Sequence, residues 1–311
     1  MKTSRQHRDT FTHDRGRAHI IFTIVPHCTD WQENTHMELA LIQRHYDDVI
    51  APHYDVDPQS VIGDSLDRAL VQIQEQELMK PDATPLRVLD VGMGTGRFLE
   101  KLKTRADRPI RRFGLDLSPK MIEVACARMP DLDAAVGDAA NLEQHFQPLT
   151  FDLISTHFIT GFVPITVLAP QIWSRLDPGG YWSLIGGTKA GFPTLQKKAN
   201  ARTLRWLFGG RTLEVEDTVS NPADRAEVVR TLRDHGFEIC QCETFTPDLY
   251  FSNFREFLEF GYWGGWLTPF IERLGLHHAP PLLRLILNTL VFPVNDHHQI
   301  EIVLARKIAN S

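Results

Sequence analysis

The residues best placed to do chemistry lie between positions 88 and 98, VLDVGMGTGRF. An apolar run, Val88–Val91, carries one acidic residue, Asp90, and leads into Gly92, Gly94 and Gly96. A buried strand, a glycine turn and a helix in that order bring main-chain N–H groups and the positive end of a helix up to a ligand. Glycine permits backbone angles closed to other residues and lets the ligand approach the chain. About twenty residues later Asp116 ends the next apolar run, in GLDLSP, where a carboxylate can accept both hydroxyls of a ribose. Asp138, in VGDAANL, ends the third run and could accept the exocyclic amine of an adenine, with Leu117 and Met121 sandwiching the ring. Taken alone, Asp116 or Asp138 serves equally well as a strand-end or helix-capping residue; the order of all these residues along the chain is what carries the signal.

A proton acceptor is the second chemical requirement, and histidine is the usual one near neutral pH. His157 follows the fourth apolar run in STHF, and His298 stands with Asp296 and His297 at the start of the last. Both are candidate catalytic residues; the competing reading is a structural contact at a strand end. The adjacent pairs His277–His278 and His297–His298 are not a ligand spacing that implies a metal, and none is expected.

These residues need a frame. Short apolar runs occur at Arg87–Val91, Arg112–Leu117, Ala134–Val136, Phe151–Thr156, Tyr181–Gly186, Glu238–Phe245 and Ile300–Ala305. Amphipathic stretches of helical period separate the first five, and Ser118–Pro119 makes a cap with a proline at the first helical position. Alternation of this kind predicts an α/β fold: a mostly parallel, seven-stranded sheet with helices on both faces and right-handed crossovers. Two helical stretches, about 36–54 and 59–79, precede it. Two inserts, about 190–235 and 247–296, interrupt its last third, the second rich in aromatic residues between Gly261 and Phe270.

Together these motifs resemble the class I S-adenosylmethionine-dependent methyltransferase family, from VLDVGMGTGRF through GLDLSPKMI, VGDA and FDLISTHF to LDPGGYW, about residues 86–187. The resemblance implies S-adenosyl-L-methionine as cofactor. Asp90 with Gly92, Gly94 and Gly96 would hold its methionine part, Asp116 its ribose and Asp138 its adenine amine. Ala139 and Thr156 would line it with their backbone. Tyr46–Asp47 and Tyr54–Asp55 resemble a paired tyrosine–aspartate segment of quinone-biosynthesis and related small-molecule methyltransferases, which implies that Tyr54 helps close the site. The family also implies a seventh strand running antiparallel at the sheet edge. A nicotinamide-binding Rossmann domain is the nearest rival, but G-x-G-x-x-G counted from Gly92 wants glycine at 97, where Arg97 stands.

Three regions are expected: a disordered extension over 1–30, a helical lid over 31–85, and a catalytic domain over 86–311 carrying both inserts as caps. Connectivity hangs both inserts over the carboxyl edge of the sheet, where ligands of open α/β sheets lie. Their aromatic character points to a small, hydrophobic or aromatic acceptor; a carrier-bound acyl or quinone-like substrate, or a non-methylating use of the fold, are the alternatives. The formal net charge of −6 gives no general attraction to nucleic acid, and the family's Asn/Asp-Pro-Pro-aromatic signature of macromolecular substrates is absent after the fourth run. Ile20–Val25 is too short to span a membrane. Cys28, Cys126, Cys240 and Cys242 form no metal-type spacing and read as reduced thiols of a cytoplasmic protein. The apolar stretch 281–294 suggests a homodimer contact through the C-terminal cap.

Overall fold

A computed structural model describes residues 35–202, 204 and 219–308. The extension expected over 1–30 and the middle of the first insert lie outside the described residues.

Seven strands form the central sheet: β1 (Leu86–Val91), β2 (Ile110–Asp116), β3 (Asp133–Val136), β4 (Phe151–His157), β5 (Leu176–Gly187), β6 (Phe237–Phe245) and β9 (Ile300–Lys307). Their order is β3-β2-β1-β4-β5-β9-β6. The first five pair in parallel, and β9 pairs antiparallel with both β5 and β6. All seven apolar runs are strands, but the antiparallel strand is not at the edge as expected; β6 is. The burial patterns explain the difference. Ile300–Ala305 are buried on both faces, which suits an interior strand, whereas β6 is mostly half-buried and exposes Glu238 and Thr244.

Helices α3 (Arg97–Arg105), α4 (Pro119–Arg128) and α5 (Ile165–Arg175) make the crossovers. Ser118 caps α4 as the sequence suggests, its Oγ accepting from the Met121 N–H at 3.1 Å with Pro119 at the first helical position. Ahead of the sheet, α1 (Thr35–His45) runs through a π-turn to Ile50, and α2 (Val61–Glu75) buries Val61, Ile62, Leu66, Ala69, Leu70 and Ile73. Helix α2 belongs to the layer on one sheet face: the Gln72 amide donates to the Ile302 carbonyl of β9 at 3.2 Å. The second half of the stretch expected to be a lid thus packs, at least at Gln72, on the sheet.

The second insert holds a feature without a clear signature in the sequence. β7 (Asp248–Phe251) and β8 (Val294–His297) pair antiparallel as a separate two-stranded sheet that brackets the apolar helices between them. Asp296 on β8 accepts the N–H groups of Thr194 at 3.0 Å and Leu195 at 2.7 Å, capping α6 (Pro193–Ala199) of the first insert. The two inserts are thereby joined. Among the described residues no helix is long and apolar enough to cross a membrane.

Candidate active site

The carboxyl ends of β1, β2, β4 and β5 open into a cavity of about 200 Å³. The glycine turn is its floor. Gly92 and Gly94 line it with φ of 71° and 54°, angles that favour glycine, and a Cβ on Gly92 would stand 2.2 Å from Cγ2 of Ile159. Gly96 sits one step back, at φ 79°, opening α3 against Ala125 and Met129 and not lining the cavity.

The carboxylate of Asp116 organises this floor. Its Oδ2 accepts the Gly94 N–H at 2.8 Å and its Oδ1 the Ser118 N–H at 2.8 Å. Burial pushes its pKa up to about 6, against those two hydrogen bonds. Asp90 lies behind the floor, 2% exposed, accepting from the Ser155 hydroxyl at 2.7 Å; burial pushes it up to about 7. Neither has a cationic partner among the described residues, so the cavity floor favours a positively charged ligand. Asp138 lines the cavity beside Gly137 and Ala139, with Oδ1 accepting from the Ala140 N–H at 2.8 Å and Oδ2 from the Asn141 amide at 3.2 Å.

The segment 39–57 closes the cavity from above. Tyr46 and Tyr54 both line it, and the Tyr54 ring lies over Gly94, 3.2 Å from where a Cβ would stand. The aspartate after each tyrosine fastens the segment down. Asp47 accepts from the Ser118 hydroxyl at 2.5 Å and the Lys120 N–H at 3.1 Å. Asp55 accepts from the Thr95 hydroxyl at 2.6 Å and pairs with Arg128 at 2.5 Å. The pairing of tyrosine with aspartate thus has a local cause: one side chain faces the cavity and its neighbour clamps the backbone to the loops after β1 and β2.

The structure brings together on the cavity wall Tyr54, Gly92, Gly94, Asp116, Leu117, Asp138, Ala139, His157 and His298. It does not bring there Asp90, Gly96, Met121 or Thr156. Met121 is fully buried and does not line the cavity. The Thr156 hydroxyl accepts from the Trp182 indole at 2.8 Å.

The two histidines are present but poorly suited to take a proton. His157 packs edge-on against Phe98 with ring centroids 4.5 Å apart, and its Nε2 lies 3.0 Å from the Ser183 hydroxyl. His298 stacks on Phe192 at 4.6 Å and meets Trp266 edge-on at 5.4 Å. Burial pushes both pKa values down to about 3, so both rings are neutral and weakly basic at neutral pH. Sequence reasoning missed the polar groups beside them. Thr160 donates to Asn221 Oδ1 at 3.2 Å, and Lys189 follows β5 on the same wall. Asn221 comes from the far end of the first insert, and no spacing in the sequence ties it to the sheet edge.

The glycine turn after β1 and the acidic residues at the tips of β2 and β3, Asp116 and Asp138, all fall within one stretch of the chain that resembles methyltransferases. Residues 88–180 match the family model described as a methyltransferase domain. The chain is 32% identical over 136 residues to the demethylmenaquinone methyltransferase of Deinococcus radiodurans, which covers 42% of this chain and 54% of that protein. It is 34% identical over 102 residues to the trans-aconitate 2-methyltransferase of Methylobacterium radiotolerans, covering 32% and 37%. The chain spans about half or less of the length of the curated relatives it matches. Among solved structures, the YcgJ protein of Bacillus subtilis superposes with a TM-score of 0.51 at 16% identity, over 78% of this chain and 100% of that one. A putative methyltransferase of Bacillus halodurans gives 0.50 at 14% identity, over 76% and 99%. These two likenesses bear on the fold alone.

Proposed function

We propose that the chain is a small-molecule methyltransferase that holds S-adenosylmethionine on the floor of the cavity and a largely apolar acceptor under the inserts. The observation that carries this reading is the pair of buried carboxylates, Asp90 and Asp116, which lie behind and beside a glycine turn with no cationic partner among the described residues. A ligand bearing an ammonium and a sulfonium relieves that burial cost. Asp116 would take the ribose hydroxyls and Asp138 the adenine amine. Gly92 and Gly94 would admit the methionine part, with Asp90 supporting it electrostatically from behind. Leu117 and Ala139 would flank the adenine, and Tyr46 and Tyr54 would shut the site from above.

When bound, the cofactor supplies an activated methyl group; the chain supplies alignment and a dry site. Phe158, Ile159, Phe162 and Trp266 line the cavity and exclude water from the acceptor side. His157 and His298 shape the wall and position the acceptor; neither is assigned a proton. A quinone-like acceptor is supported by the likeness to demethylmenaquinone methyltransferases and by these aromatic walls. Contact between two copies through the exposed Leu282, Leu285 and Leu290 of the helix Pro281–Leu290 is a further part of the reading.

Incubation with methyl-labelled S-adenosylmethionine and a fractionated metabolite extract tests it. The expected result is label in an organic-extractable fraction with equimolar S-adenosylhomocysteine. Cofactor binding with no label transferred to any fraction would overturn the methyltransferase reading in favour of a non-methylating use of the fold.

A further inference from the structure

A second cavity, of about 60 Å³, lies beside the first and shares Phe192, Gln196 and Leu267 with it. Its other described lining residues are apolar, among them Ala199, Phe254, Phe257, Leu287 and Phe292. Gln196 is the only polar residue among them, and its amide donates away to the Gly191 carbonyl at 2.6 Å. Apart from Gln196 the described lining is apolar, the setting that takes a hydrocarbon. Phe192 lines both spaces. It is held at φ 56°, an unusual angle for a bulky residue, by its N–H donating to the His297 carbonyl at 2.9 Å.

The larger cavity has its own asymmetry. Apart from Asp116 and Asp138, the only formally charged residue on its described wall is Lys189, whose ammonium has no hydrogen bond or ion pair among the described residues. The Lys189 N–H donates to the Pro222 carbonyl at 3.0 Å, which sets it next to Asn221, whose Nδ2 also lacks a partner among the described residues. An unpaired ammonium and an unused amide donor beside an apolar chamber match an anionic oxygen carried on a hydrocarbon.

We propose that the methyl acceptor is an amphiphilic acid, its ionised oxygen held by Lys189 and Asn221 and its hydrocarbon tail seated past Phe192 in the second cavity. This rests on the methyltransferase reading and names its substrate class. An ionised acceptor also accounts for histidines that are poor bases, because no proton has to be removed. A lone pair of the acceptor oxygen forms the bond to the methyl carbon while the carbon–sulfur pair stays on sulfur. The products are a methyl ester or ether and a neutral thioether, and the proton count does not change.

Binding of octanoate, butanoate and octanamide to the full chain saturated with S-adenosylhomocysteine tests the proposal by calorimetry. The wild type is expected to bind octanoate at least tenfold more tightly than butanoate and at least tenfold more tightly than octanamide. Lys189→Gln is expected to erase the preference for octanoate over octanamide, and Ala199→Phe, which fills the second cavity, the preference for octanoate over butanoate. S-adenosylhomocysteine affinity reports whether each variant is folded; a variant that loses it is replaced by Lys189→Met or Leu287→Trp. Equal affinity of the wild type for acid and amide, or for the long and short acids, would overturn the proposal. So would preferences that survive both substitutions. Failure of S-adenosylhomocysteine to bind the wild type would instead overturn the underlying cofactor reading.

Discussion

The Asp116 carboxylate at the tip of β2 holds the Gly94 N–H of the neighbouring β1 turn at 2.8 Å. A single side chain thus both sets the glycine turn and lines the cavity. Asp116→Asn keeps the shape and removes the charge. It is expected to weaken S-adenosylmethionine binding at least tenfold, since hydrogen bonds to charged groups contribute about 1.5–3 kcal/mol. Equilibrium dialysis with labelled cofactor measures it.

Asp90 gives a prediction of opposite sign for stability. Its folded pKa, about 7, lies above the ordinary carboxylate value of 3.8. Between those two values the folded chain holds a proton that the unfolded chain has lost, so stability falls as pH rises from about 4 to about 7 and is level above. Asp90→Asn removes that cost. Urea unfolding without cofactor should find it more stable than wild type at pH 8, by on the order of a few kcal/mol, and nearly equal at pH 4.

The same two carboxylates should release protons when a cation arrives. Burial raises Asp116 to about 6 and Asp90 to about 7, and a nearby positive charge lowers both. Titration of S-adenosylmethionine at pH 6.5 in buffers of different ionisation enthalpy is expected to show net proton release, fading by pH 8.5.

The neutral histidines predict the shape of the pH profile. With His157 and His298 near 3, kcat at saturating cofactor and acceptor should show no limb near pH 6.5. His157→Asn should leave the shape of the profile unchanged even where it lowers kcat through lost packing against Phe98. A limb near 6.5 that disappears in His157→Asn would show a working base.

Tyr54 covers Gly94 with its ring, and its hydroxyl has no hydrogen bond among the described residues. Tyr54→Phe is accordingly expected to keep cofactor affinity within about twofold, and Tyr54→Ala to lose about tenfold, an effect of about 1.4 kcal/mol. Fluorescence titration separates the two.

Much of this was readable from residue order. The runs that became strands announce themselves because strands buried on both faces are nearly all apolar, as in Val88–Val91 and Ile300–Ala305, each broken by one buried acidic residue, Asp90 and Glu301. The position of β9 inside the sheet was readable too, had the continuous burial expected of Ile300–Ala305 been weighed against the charges of β6. The floor of the site was legible because glycines and strand-tip aspartates are local in sequence. What was not legible comes from long range. Met121 is buried by packing from the rest of the fold, and Lys189 and Asn221 meet only through the fold of the first insert. The β7–β8 pairing spans 43 or more residues from Phe251 to Val294, and the short runs that form it look like parts of longer apolar stretches. That histidines in suggestive places are weak bases follows from burial, which composition does not show.

The central claim is that the cavity floor receives an adenosyl sulfonium, and calorimetric titration of the wild type with S-adenosylmethionine and, separately, with NAD tests it most directly. The account predicts one equivalent of S-adenosylmethionine bound, with none of NAD, and loss of that binding when Gly94 is replaced by valine. Binding of NAD in preference, or S-adenosylmethionine affinity indifferent to Gly94→Val, would contradict it.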